Sequence, residues 1–164
     1  MDNNPNPSLM KWSALRGLPV RVPSEGITIG TVEDFYFQPD TNAVYALCVR
    51  VRLTGDRSLP VTGIRSVGPD GVMIPNAQML LERLPPLPTG QQIANAKLTS
   101  EGGQDLGVVK EIVMGVNPPV TMRIAGFEMF KRGGRQSLSF SADAIGSYHD
   151  ANVVVRDLEA KRLK

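Results

Sequence analysis

The chain has very few of the residue types that build disulfides, metal centres and covalent catalytic sites. Its 164 residues contain one cysteine, Cys48, and one histidine, His149. A single cysteine excludes an internal disulfide framework, and the two residues together are fewer than the ligands of a zinc site. We therefore expect no metal ion, no cofactor and no enzymatic activity.

Net charge and long apolar runs are also scarce. Eighteen Lys and Arg residues stand against 16 Asp and Glu, so the formal net charge is only +2. With a net charge this close to neutral, the chain as a whole has no electrostatic field that would attract nucleic acid or an acidic membrane. No apolar run approaches the ~20 residues of a membrane span, and no basic segment leads into an apolar core at the N-terminus. We expect a soluble, cytoplasmic protein.

A repeated segment is the main positive feature of the sequence. Residues 29–37 (IGTVEDFYF) return about 77 residues later as residues 106–114 (LGVVKEIVM). In each copy a glycine follows an aliphatic residue and leads into apolar positions, which is the pattern of a turn that opens a half-buried strand. The same Ser-Glu-Gly turn precedes both copies, at residues 24–26 and 100–102. The repeat predicts a duplicated β unit.

The segments around the repeat predict the domain organisation. Residues 1–13, rich in Asn and Pro, are predicted to be a disordered lead-in, although Trp12 is expected to cover an open end of the core. Residues 14–84 form the first unit, in which Asn76 caps a short helix at 77–84. A stiff proline-rich linker, residues 85–90, leads to the second unit at 91–157. Residues 158–164 are a basic tail or short helix, with Asp157 as its cap.

Each half of the chain resembles the PRC-barrel domain, a small β-barrel of photosynthetic reaction-centre H subunits and of ribosome maturation factors. The resemblance rests on residues 20–22, the two Ser-Glu-Gly turns, the repeated glycine-led strands, and the closing strands near residues 72–74 and 153–155. It implies an all-β fold of two tandem small barrels, each followed by a short helix. The family has no shared catalytic motif, so the resemblance assigns no site residues.

The remaining chemical candidates favour structural roles. The repeated glycines, Gly30 and Gly107, are interpreted as turn residues because no helix-opening phosphate loop follows them. Adjacent residues of a strand point to opposite faces, so Glu33 and Asp34 cannot converge on one substrate. His149 is expected to be exposed in a turn. Cys48 lies in an apolar run and is expected to be a buried small hydrophobe.

One basic patch is the candidate binding site. Lys131, Arg132 and Arg135 surround two glycines at a predicted hairpin tip, with Arg123 upstream. These cations are candidates to meet a protein partner, RNA phosphates or anionic lipid head groups, and the alternative is a solubilising loop. The leading hypothesis is a non-enzymatic protein-interaction or assembly module. An RNA- or ribosome-associated protein, a peripheral factor of a photosynthetic or other membrane complex, and a homo-oligomer remain alternatives.

Overall fold

Two sheets contain nearly all of the regular structure in the computed structural model, which describes residues 8–134 and 136–163. The strands are β1 (Leu9–Lys11), β2 (Pro19–Val22), β3 (Ile27–Phe37), β4 (Val44–Val51), β5 (Gly55–Pro60), β6 (Ser66–Gly68), β7 (Gly71–Met73), β8 (Lys97–Ser100), β9 (Asp105–Gly115), β10 (Arg123–Lys131), β11 (Ser137–Ser141), β12 (Ile145–His149) and β13 (Asn152–Val155). The helices are α1 (Trp12–Leu15), α2 (Gly90–Ile93) and α3 (Asp157–Leu163). The prediction of a mostly β chain is confirmed. None of the helices in the described ranges is long and apolar enough to cross a membrane.

The two sheets have the same strand order. The first sheet runs β5-β4-β3-β2-β7-β6, and the second runs β11-β10-β9-β8-β13-β12 with β1 added beside β9. Each sheet contains one parallel pair at the corresponding place in this order, β2 with β7 in the first sheet and β8 with β13 in the second. Within residues 8–134 and 136–163 neither sheet pairs its two end strands, so the predicted barrels are not closed by hydrogen bonds.

The repeated glycines lie inside long strands, not at turns that open them. A Cβ on Gly30 would come 2.5 Å from the carbonyl oxygen of Arg50 in β4. Gly107 has a φ of +137°, and a Cβ there would overlap the carbonyl oxygen of Phe130 in β10. The turn interpretation is therefore wrong in detail. Glycine is needed because the neighbouring strand backbone approaches too closely for a side chain.

The lead-in of each half pairs with the sheet of the other half. β1, which precedes the first sheet, pairs antiparallel with β9 of the second, and the Val116 amide donates to the Ser8 carbonyl at 2.9 Å. In the opposite direction, Thr89 bridges Tyr36 of β3, and the Phe37 amide donates to the Pro88 carbonyl at 3.1 Å. We call this arrangement the reciprocal exchange. The two halves are therefore linked at both lead-ins.

Two acidic side chains fasten the short helices of the exchange. The Glu111 carboxylate in β9 accepts from the Ser13 amide in the first turn of α1 at 3.3 Å. The Asp34 carboxylate in β3 accepts from the Gln91 amide in the first turn of α2 at 3.0 Å. Unpaired amides at a helix start need such acceptors. Each helix start is thus held by a carboxylate from the other half.

The disorder prediction for residues 1–13 is wrong for the part that the structure describes, residues 8–13. β1 gains a strand partner in β9, and Trp12 is only 6% exposed. The physical reason is that Trp12 and Met10 pack their apolar surface into the core, which favours an ordered segment. The polar residues around them in the sequence do not indicate this burial. Residues 1–7 lie outside the described residues.

A single apolar core crosses from one sheet to the other. The Trp12 ring meets Phe35 edge to face at 5.0 Å between centroids, and Phe37 meets Tyr148 of the second sheet at 5.1 Å. The Tyr148 hydroxyl also donates to the Asn42 side-chain oxygen at 2.7 Å. The prediction that Trp12 covers the core is confirmed, and the two sheets share that core.

The segment after the first sheet differs from its prediction. Asn76 accepts from the Gln78 amide as a cap should, but helical structure is limited to a 3-10 turn at Ala77–Met79. The predicted helix at 77–84 is wrong because the backbone becomes extended at Leu80, and Leu81 pairs with Ser58 on the outer side of β5. In α3 Asp157 is the first helical residue, with Ala160 and Leu163 buried. Lys164 lies outside the described residues.

Candidate functional site

The β10–β11 hairpin places two of the predicted cations together at its tip. Lys131 is half-buried at the end of β10, and its amide donates to the Gln136 carbonyl at 3.2 Å. Arg132 is exposed in the turn, and its amide donates to the Leu106 carbonyl at 3.1 Å. The first bond closes the hairpin, and the second holds the tip backbone against β9. Arg135, the third predicted cation of the tip, lies outside the described residues.

Arg123 does not belong to the same site. It begins β10 and Lys131 ends it, so eight residue steps of about 3.3 Å put them roughly 26 Å apart along the strand. The Arg123 guanidinium instead lies 3.6 Å from the Asp143 carboxylate, and it donates to the Ile124 carbonyl at 3.4 Å. The predicted patch is therefore divided between the two ends of the strand.

A groove of about 720 Å³ lies beside the hairpin tip. Lys97 of β8, Lys131 and Arg132 contribute its cations, while Val108 and Phe130 contribute apolar surface. We call this the cationic groove. Val108 is 43% exposed, so the apolar part is open to a ligand. Such a lining suits an anionic group attached to an apolar or planar body.

Lys110 extends the positive surface next to the cationic groove. Its ammonium lies 5.0 Å from the centroid of the Phe130 ring, within the range of a cation–π contact. Asp105 is the acidic member of the groove lining, and its carboxylate accepts from the Gly107 amide at 3.1 Å. Sequence reasoning missed Lys97 and Lys110 because they reach the site through strand pairing. The register of Lys97 opposite Val108 was the missing information.

The buried ionisable groups Asp34 and Cys48 have structural roles in the interior of the protein. Burial raises the pKa of the Asp34 carboxyl, and this is partly offset by the Phe35 and Gln91 amides that donate to it. Burial likewise raises the pKa of the Cys48 thiol, which is buried beside Tyr36 as a small apolar residue would be. The prediction for Cys48 is confirmed. Glu33 instead faces Arg50, with 3.9 Å between their charged groups, so the adjacent carboxylates do not converge.

His149, the single histidine, lies beside a serine side chain. Ser147 Oγ lies 3.2 Å from His149 Nε2. His149 is exposed, as predicted, but it is the last residue of β12 and does not lie in a turn. Within residues 8–134 and 136–163 no carboxylate pairs with the ring, so the orienting partner of a triad is missing from that part of the chain. The described residues also contain no group of three or more His, Cys, Asp or Glu side chains suited to a metal ion.

Comparison with known protein families identifies the first half. Residues 7–80 match the family model of the PRC-barrel domain. This match supports the expected resemblance of the first half to a PRC-barrel domain. The PRC-barrel match covers the whole first sheet together with β1 and α1, and it ends before the proline-rich linker. A search of curated proteins found no match to the chain.

Proposed function

We propose that the chain is a non-enzymatic protein-interaction or assembly module built from two PRC-barrel units, acting in the cytoplasm. The observation that carries the proposal is the PRC-barrel match of residues 7–80, a family without a shared catalytic motif. A domain of this kind works through its surface shape, charge and sheet edges. The experiment must therefore detect a partner and assign the surface that holds it.

The second unit of the proposal is residues 91–157. Its support is the strand order of the second sheet, which repeats that of the PRC-barrel half strand for strand. The reciprocal exchange adds to this support, because both lead-ins make the same kind of contact with the other half. We infer that the two units act as one rigid body with a single combined surface.

The cationic groove is the first surface to test. Its cations lie beside exposed apolar atoms, a combination that suits an acidic segment of a partner protein. We expect proximity cross-linking of the tagged full chain in its native cell to identify a partner. The purified partner should then bind the purified chain directly.

A charge-matched pair of variants assigns the surface. The double variant Lys131→Ala/Arg132→Ala removes two cations from the groove, while Lys161→Ala/Arg162→Ala removes two exposed cations from α3. We expect the first variant to weaken partner binding about tenfold and the second to leave it within twofold. Equal effects of the two variants would show that only net charge matters. If none of the cross-linked proteins binds the wild-type chain after purification, the proposal as a whole is contradicted.

RNA binding is the second candidate, and one observation favours it. Lys97 and Lys110 add two cations to the hairpin tip, and the half-buried Phe130 ring lies among them. Cations beside an aromatic ring are the elements of single-stranded RNA sites. This candidate predicts an affinity for single-stranded RNA that falls steeply with salt, with a slope that decreases by roughly 0.7 for each lost phosphate contact in the groove variant. Unchanged RNA binding by that variant would remove it.

A further inference from the structure

Three of the four end strands of the two sheets are protected against pairing with another chain. β5 contains Pro60 and is paired on its outer side with Leu81. β6 has only three residues, Ser66–Gly68. β12 is interrupted by a register shift between Ile145 and Ser147. Proline, short length, bulges and covering segments are the usual means by which proteins block an exposed strand edge.

The fourth end strand, β11, has none of these features. Its sequence is SLSFS, without proline or charge, and it pairs with β10 over five residues without a register shift. Ser137, Ser139 and Ser141 are exposed. Among residues 8–134 and 136–163, no strand or isolated bridge pairs with its outer side. The β11 edge is thus regular and open.

The backbone of β11 presents hydrogen-bonding groups on that side. The bond from the Lys131 amide to the Gln136 carbonyl fixes which cross-strand pairs of the hairpin are hydrogen-bonded. Antiparallel pairs alternate, so the amides and carbonyls of Ser137, Ser139 and Ser141 point away from β10. They are the acceptors and donors that an added strand requires.

The first sheet contains an occupied version of the same edge. Ser58 precedes the buried Leu59 in β5, as Ser139 precedes the buried Phe140 in β11. The Ser58 amide and carbonyl bond the carbonyl and amide of Leu81, both at 2.8 Å, in an antiparallel bridge. The backbone is extended at Leu80, with φ −83° and ψ 125°, directly before Leu81 pairs with the edge. The bridge shows what kind of segment this edge accepts.

We propose that the β11 edge binds an extended segment of a partner protein as an additional antiparallel strand. An antiparallel segment has its C-terminal end beside Ser137, at the hairpin tip that carries Lys131 and Arg132. Charge complementarity therefore specifies acidic residues directly after the strand. This deepens the proposed interaction function and rests on it, but it names a different surface from the cationic groove.

A second copy of the chain is the less favoured occupant. Pairing two five-residue strands edge to edge involves little surface, below the roughly 1,200 Å² that stable complexes bury. A flexible partner segment gains the same backbone bonds and can place its acids against the tip cations. Self-association is therefore treated as an outcome of the test.

The test uses the full chain, labelled with ¹⁵N, and the synthetic peptide QMLLEEE. The peptide reproduces residues 78–82 around Leu81, the residue that pairs with the β5 edge, and adds two glutamates. We expect saturable amide shifts at Ser137, Ser139 and Ser141. A matched peptide, QMLLKKK, should bind about fivefold more weakly because its lysines face the tip cations.

Two substitutions at one position separate backbone pairing from side-chain effects. Ser139→Pro removes an amide that has no partner within the sheet, so the fold should be retained while peptide binding falls at least about tenfold. Ser139→Thr keeps the amide and should bind like the wild type. Far-UV circular dichroism and thermal melting check that both variants are folded.

Four outcomes would overturn the proposal: no saturable shift, shifts confined to the Ser58 edge, equal binding by the two Ser139 variants, or self-association that Ser139→Pro abolishes. The last would assign the edge to a second copy. Failure here is distinguishable from failure of the proposed function. If a cross-linked partner binds Ser139→Pro and wild type equally, the strand-addition proposal is wrong and the interaction function stands.

Discussion

Replacing Trp12 by alanine should destabilise the whole chain, although the residue lies near the N-terminus. The indole is 6% exposed and meets Phe35 of the first sheet edge to face at 5.0 Å. It also begins α1, which packs against β9 of the second sheet. Removing it takes one wall from a core that both sheets share.

The expected loss follows from its burial. Truncating a buried Trp or Phe to Ala costs about 3–5 kcal/mol, including the lost aromatic contact. With a urea m-value of about 2 kcal/mol/M, a loss of ~4 kcal/mol lowers the unfolding midpoint by about 2 M. A loss of this size is a large fraction of the 5–15 kcal/mol that holds a typical domain folded.

Urea unfolding followed by far-UV circular dichroism is the appropriate assay, since Trp12 is the only tryptophan and its fluorescence disappears in the variant. Trp12→Phe is the matched control, because it keeps an aromatic ring against Phe35 and should lose much less stability. For the wild type, fluorescence and circular dichroism should give one coincident transition. A midpoint change below about 0.5 M for Trp12→Ala, or two separate wild-type transitions, would refute the shared core.

Four further substitutions, one of them a control, test individual residues. Gly107→Ala should lose more than about 2 kcal/mol in urea unfolding, because its Cβ overlaps the Phe130 carbonyl, whereas Gly102→Ala, with a nearest neighbour at 3.7 Å, should stay within ~0.5 kcal/mol; equal effects would contradict this. Glu111→Ala should cost about 1 kcal/mol by leaving the Ser13 amide without its acceptor, and no loss would argue against the helix start being held there. Because burial raises the pKa of Asp34, its charged form opposes folding. Wild type should therefore gain stability relative to Asp34→Asn as the pH falls from 7 through the raised folded pKa toward the unfolded value near 4, and a relative loss would give the opposite sign.

Local patterns predicted the strands but not the exchange. The glycine-led repeat identified β3 and β9 because alternating apolar residues are a local signal. The pairing of β1 with β9 joins residues about a hundred positions apart, so no local pattern indicates it. The Asn- and Pro-rich composition of the segment led instead to a prediction of disorder. Met10 and Trp12 were the available signal, since two large apolar residues in a polar segment need a core to bury them.

The candidate site was predicted in part for the same reason. The tip cations Lys131 and Arg132 are neighbours in sequence, so a hairpin prediction placed them together. Arg123 was grouped with them although a nine-residue strand separates the two ends. Lys97 and Lys110 could be found only from the register of β8, β9 and β10. The open β11 edge likewise follows from the strand order, which the sequence pattern does not specify.

Amide hydrogen exchange at two equivalent serines tests the central claim most directly. The Ser58 amide is bonded to the Leu81 carbonyl at 2.8 Å, whereas Ser139 presents its amide on the open edge of β11. We predict slow exchange at Ser58 and fast exchange at Ser139 in the isolated chain, with Ser139 becoming slow when the peptide QMLLEEE binds. A Ser139 amide that is already protected in the isolated chain, or that stays fast in the complex, would contradict the account.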